Sequence, residues 1–67
     1  MIEITVNGEP QTTPEGQTIQ GLIRQLELDP ARVAVELERR IVKHPLWPET
    51  VLHTGAQLEI VQFVGGG

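Results

Sequence analysis

Sixty-seven residues with nine acidic and five basic side chains, a net charge of −4, make one domain with a small core, because a chain this short buries only about 60% of its unfolded surface. The negative balance would repel a phosphate backbone, and Trp47 and Phe63 as the aromatic residues give no stacking platform, so the expected partner is a basic protein surface and not nucleic acid. The chain has no Cys for a disulfide or a thiolate ligand, which suits a reducing cytoplasm, and it shows neither a signal-like start nor an apolar run of membrane-spanning length.

"IEITV" alternates Ile2, Ile4 and Val6 with Glu3 and Thr5, the period of a half-buried strand, and Asn7-Gly8 supplies a two-residue hairpin turn. "EPQTT" is the return strand, placed at a sheet edge because Pro10 cannot donate to a ladder. In "TIQGLIRQL", Ile19, Leu22, Ile23 and Leu26 fall at i, i+3, i+4 and i+7, one apolar helix stripe with Thr18 as its cap. Gly21 reads as a tolerated defect in the first turn, costing about 1 kcal/mol against Ala. Asp29-Pro30 is expected to end the helical pattern.

Alternation resumes in "RVAVEL", with Val33, Val35 and Leu37 opposed to Ala34 and Glu36, and "RIVK" reads as a short fourth strand. "HPLWPET" carries Pro45 and Pro48 and is expected to be a loop or tight turn in which Leu46 and Trp47 cap one end of the core. After the turn signal at Thr54-Gly55, "QLEIVQFV" forms the last strand. The order is ββαββ. A single helix covers one face of one sheet, and Leu58 and Ile60 join Ile4, Val6, Val35 and the helix stripe beneath it. With the last strand parallel to the first, the class is α+β, a ubiquitin-like β-grasp with a mixed sheet and one helix packed on one face. Residues 1–64 are expected to form the β-grasp domain and residues 65–67 a mobile glycine tail.

The chain is poorly equipped for chemistry of its own. It has no Ser and no Cys, one Lys (Lys43) and one Asp (Asp29), so no activated nucleophile or catalytic triad can be assembled. The Thr residues lie in expected strands, turns and a cap, where backbone bonding accounts for them. His44 and His53 fit no zinc pattern, and no phosphate-binding glycine loop is present. No catalytic residue, no metal and no cofactor of its own are assigned, and the chain is read as a protein on which enzymes act.

Gly65, Gly66 and Gly67 after a strand would serve no packing purpose, and at this point the whole pattern matters. "TIQGLIRQL", "VAVELERRIV", the Trp in "HPLWPETVL" and the ending "LEIVQFVGGG" resemble the ThiS family of ubiquitin-like sulfur carriers over essentially the whole chain. The resemblance implies that the Gly67 carboxylate is the working group. An adenylating partner of the ThiF type, using MgATP, would convert it to an acyl adenylate. Sulfur from a persulfide donor would then replace AMP, and the thiocarboxylate would serve a thiazole synthase of the ThiG type in thiamine biosynthesis. Related carriers differ only in their acceptor: molybdopterin synthase, tRNA thiolation or cysteine synthesis. A protein-modifying tag and a plain β-grasp binding module complete the alternatives.

The physics of the tail agrees with that implication. Three extended residues reach about 10 Å, enough to carry a carboxyl carbon into a buried site while the domain docks outside. Without Cβ atoms, Gly65 and Gly66 can thread a narrow channel and Gly67 leaves its carbonyl open to attack. Docking is expected on the face the helix leaves open, where Glu3, Glu36 and Glu59 would form an acidic row across neighbouring strands and Val61 and Phe63 an apolar patch beside the tail.

Overall fold

The computed structural model describes residues 1–63. β1 (Ile2–Val6) and β2 (Glu9–Thr13) form the first hairpin, with Val6 opposite Glu9. Both residues between them take positive φ, 52° at Asn7 and 82° at Gly8, the twist a two-residue hairpin turn demands. β3 (Val33–Leu37) and β4 (Arg40–Val42) form a second hairpin, and β5 (Gln57–Gln62) lies between the two. The sheet order is β2-β1-β5-β3-β4, with β5 parallel to β1 and antiparallel to β3. Pro10 therefore sits on an edge strand, where its missing N–H costs no ladder bond.

α1 (Ile19–Gln25) begins where the Gly21 N–H donates to Thr18 Oγ1 at 3.1 Å. Gly21 is more than a defect: a Cβ there would collide with the Gln17 carboxamide, which folds back over this turn. Gln17 Oε1 accepts from the Thr18 N–H at 3.2 Å, and its Nε2 donates to Thr13 Oγ1 at 3.1 Å and to Gln25 Oε1 at 3.2 Å. Thr13, fully buried, completes the cluster by donating to Gln25 Oε1 at 2.7 Å. The glycine thus makes room for a polar clasp between β2 and the helix.

The helix stops sooner than Asp29-Pro30. Glu27 takes φ 59°, its N–H donates to Arg24 O, and the Leu28 N–H reaches back to Ile23 O at 3.1 Å, the paired bonds of a Schellman ending. Asp29 instead caps a 3-10 turn, Pro30–Arg32, by accepting from the Ala31 N–H at 2.9 Å.

Ile19, Leu22 and Ile23 of α1 pack on Ile4, Val6, Val35, Leu58 and Ile60, and Leu26 joins them partly buried. Val33 is buried on the same side of β3 as Val35, as the alternation of that strand implies, and Leu52 and Ala56 extend the core beyond the residues expected from the periodicity. "HPLWPE" is a 3-10 helix, His44–Glu49, and its two hydrophobic residues part company. Trp47 is buried and donates Nε1–H to Val42 O at 2.8 Å, whereas Leu46, expected beside it in the core, is 51% exposed. Consecutive residues of a helix point in different directions, so one end-cap position admits one of the pair. The segment is tied to the helix start by Ile19 N–H to Thr50 O and Leu52 N–H to Gln17 O.

Candidate functional site

The open face is built by the residues alternating with the core. Ile41 of β4 lies directly opposite Glu36 of β3, and Glu36 opposite Glu59 of β5; one step along, Ala34 faces Val61. Val61 is 53% exposed, Phe63 56% and Ile41 75%. Three large apolar side chains thus stand in water around two carboxylates, an arrangement that costs solubility unless something covers it. Phe63 is held outward although it lies beyond β5: its N–H donates to Arg32 O at 2.7 Å, continuing the β3 side of the ladder.

The acidic row has two members, not three. The parallel register sets Thr5 opposite Gln57 and Val6 opposite Leu58, so Glu59 is level with position 7. Glu3 lies four positions back, roughly 13 Å along the strand, beside Thr12 of β2. It shares the open face but stands away from the Glu36–Glu59 pair. Alternation assigns a face, while the stagger between strands is set by crossover geometry that a sequence pattern does not carry.

Ile41 is the member of this face that periodicity overlooked. The two-residue turn at Glu38-Arg39 sets Ile41 opposite Glu36, but neither turn residue is one that marks a hairpin in a sequence, so the count could not be started from the residues alone. The glycines expected to carry the chemistry, Gly65, Gly66 and Gly67, lie outside the described residues, as does Val64, the expected end of the domain. Among the described residues, no group of three or more His, Asp or Glu could hold a metal ion, and no helix is long and apolar enough to cross a membrane. His44 is exposed and lies against Trp47, with ring centroids 4.1 Å apart.

A five-stranded mixed sheet in this order, with one α-helix across one face and an exposed apolar and acidic surface on the other, defines a ubiquitin-like β-grasp protein. The chain belongs to the ThiS family, whose profile matches residues 4–67. The sulfur carrier protein ThiS of Escherichia coli is 27% identical over 66 residues, covering 98% of this chain and 100% of that protein. The crystal structure of the thiamine biosynthesis protein ThiS from Geobacter metallireducens superposes with a TM-score of 0.85 at 29% identity, over 98% of this chain and 100% of that one. A thiazole synthase of Magnetococcus marinus is 38% identical over 66 residues, 98% of this chain. The present chain spans 20% of that protein's length, so a ThiS-like segment makes up about a fifth of it.

Proposed function

We propose that this chain is a sulfur carrier of thiamine biosynthesis: its Gly67 carboxylate is adenylated by a partner enzyme, converted to a thiocarboxylate, and consumed in forming a thiazole ring. The observation that carries this reading is the family match running through residue 67, which takes in the three glycines that follow the exposed strand end. A carboxylate is a poor acyl donor. Attack of its oxygen on the α-phosphorus of MgATP releases pyrophosphate and installs AMP as a good leaving group. A persulfide then displaces AMP at the acyl carbon, and cleavage of the S–S bond by a thiol leaves the thiocarboxylate.

The chain's own part is to present this carbon. Docking through Val61, Phe63 and Ile41, with Glu36 and Glu59 turned toward a basic surface, would leave the glycines to enter the partner's site. A carrier of this kind is a cosubstrate of an adenylating enzyme of the ThiF type and of a thiazole synthase of the ThiG type. The ThiS-like segment within a thiazole synthase supports the second partner, because it puts the same fold and that acceptor in one protein.

The test is the intact mass of the chain after expression with its activating and sulfur-transfer enzymes. The mass should rise by the exchange of one oxygen for one sulfur, and the thiocarboxylate form should support thiazole formation. An unchanged mass would make the chain a binding module; a thiocarboxylate that feeds dithiolene but not thiazole formation would reassign the acceptor.

A further inference from the structure

β1 ends at Val6, and the chain turns away through Asn7-Gly8, yet β5 runs on to Gln62. In an uninterrupted parallel ladder the Ile60 N–H would donate to the main-chain carbonyl of residue 7, and Ile60 O would accept from the N–H of residue 9. The turn withdraws both partners. The side chain of Asn7 replaces them: Ile60 N–H donates to Asn7 Oδ1 at 2.7 Å, and Asn7 Nδ2 donates to Ile60 O at 3.1 Å. The Asn7 main-chain N–H donates to Leu58 O at 2.9 Å just before, so the carboxamide acts as one further peptide unit of β1. On its other side β5 stays paired with β3, and the Phe63 N–H reaches Arg32 O.

We infer that Asn7 is a positioning residue for the acyl carbon, clamping the final residues of β5 so that the chain leaves the sheet in one direction. This rests on the proposed adenylation of Gly67. A turn needs only a residue that tolerates positive φ, and Gly would meet that need without a carboxamide. The paired bonds to Ile60 are a separate property, which only an amide side chain supplies, with a donor and an acceptor side by side. Small misplacements at a reacting centre are costly, so an anchor on the strand that leads to Gly67 bears on the reaction without touching it. Asn7 lines a groove with Val6, Leu26, Leu28, Ile60 and Gln62, on the helix side of β5 and away from Val61 and Phe63, so binding and reaction should respond differently to its loss.

The experiment uses the full chain with Asn7→Gly, which keeps the turn and removes both bonds, and Asn7→Asp, which keeps an acceptor for the Ile60 N–H but sets an oxygen against Ile60 O. Amide hydrogen exchange at Ile60 and Leu58 is measured beside ATP–pyrophosphate exchange with the adenylating enzyme at varied carrier concentration. In Asn7→Gly, protection should fall at Ile60 and persist at Leu58. In both variants kcat should drop by about tenfold or more, with KM for the carrier nearly unchanged. If Asn7→Gly does not fold, Asn7→Asp carries the kinetic test alone. Unchanged protection at Ile60, or a folded variant turning over at the parent kcat, overturns the inference while leaving the proposed function standing. A parent chain that supports no exchange overturns both.

Discussion

Among the described residues, four that are not glycine hold positive φ: Asn7, Glu27, Glu38 and Arg39. Each left-handed residue with a Cβ costs about 1 kcal/mol, so each invites a local reason. Asn7 turns a hairpin and supplies two bonds to Ile60, and Glu27 closes the helix. Glu38 donates its N–H to Gln57 O at 2.9 Å and accepts from the Gln57 N–H on Oε2 at 2.8 Å, extending the sheet past the end of β3. Arg39, φ 69°, makes no such bond and is exposed, so its strain is uncompensated. Arg39→Gly should raise stability by about 0.5–1 kcal/mol, read as a higher urea midpoint at unchanged slope. A lowered midpoint would mean that the arginine stem packs against something the strain argument omits. The same contrast shows what was legible at this scale. Asn-Gly announces its turn, while Glu-Arg announces nothing, because that turn is enforced by the pairing of β3 with β4 and by Gln57 rather than by local preference.

At the scale of elements, the period of β1, β3 and β5 separated their two faces, and the Ile19-Leu22-Ile23 stripe identified the face of the helix that is buried. What the period could not convey is placement between elements: the stagger that removes Glu3 from the acidic pair, the outward turn of Leu46, and the Gln17 clasp that requires Gly21. The register that corrected Glu3 also sharpens a prediction. Glu36 and Glu59 are directly opposed like charges, which destabilise a sheet, so they are costly to keep without a use. Glu59→Lys turns repulsion into attraction and should stabilise the chain by about 0.2–1 kcal/mol. The same change should slow association with the adenylating partner, most at low ionic strength, where charge steering is strongest. Opposite signs for stability and association separate a docking role from a structural one, and an unchanged association rate at low salt would remove the pair from the interface. Val61→Ala and Phe63→Ala should weaken partner binding while lowering stability by less than about 0.5 kcal/mol each, since both side chains are already more than half in water. A large drop in the urea midpoint would show that these side chains serve the core.

For the whole molecule, the division of labour between body and terminus decides what can be tested. The buried apolar residues run from Ile4 to Ile60, closed by the helix on one side and by Trp47 and Leu52 at the end, so the core is complete before the sequence reaches the glycines. If Gly67 is a substrate and not a structural element, chemistry and stability must respond independently to changes there. Adding one Ala after Gly67 moves the carboxylate past its working position and sets a methyl group beside the reacting carbon. Deleting Gly66 and Gly67 withdraws the carboxylate by about 7 Å, short of the nucleotide. Both changes should cut ATP–pyrophosphate exchange by about 100-fold or more, because the acyl oxygen can no longer meet the α-phosphorus in line. Neither should move the thermal midpoint, since no residue of the core is altered. Tight binding to the adenylating enzyme should survive in both, through Val61, Phe63 and Ile41, so the altered chains should compete with the parent and inhibit its exchange. Exchange at the parent rate by either altered chain would show that the carboxyl terminus is not the reacting group, and loss of competition would place the docking energy in the glycines instead of on the open face of the sheet.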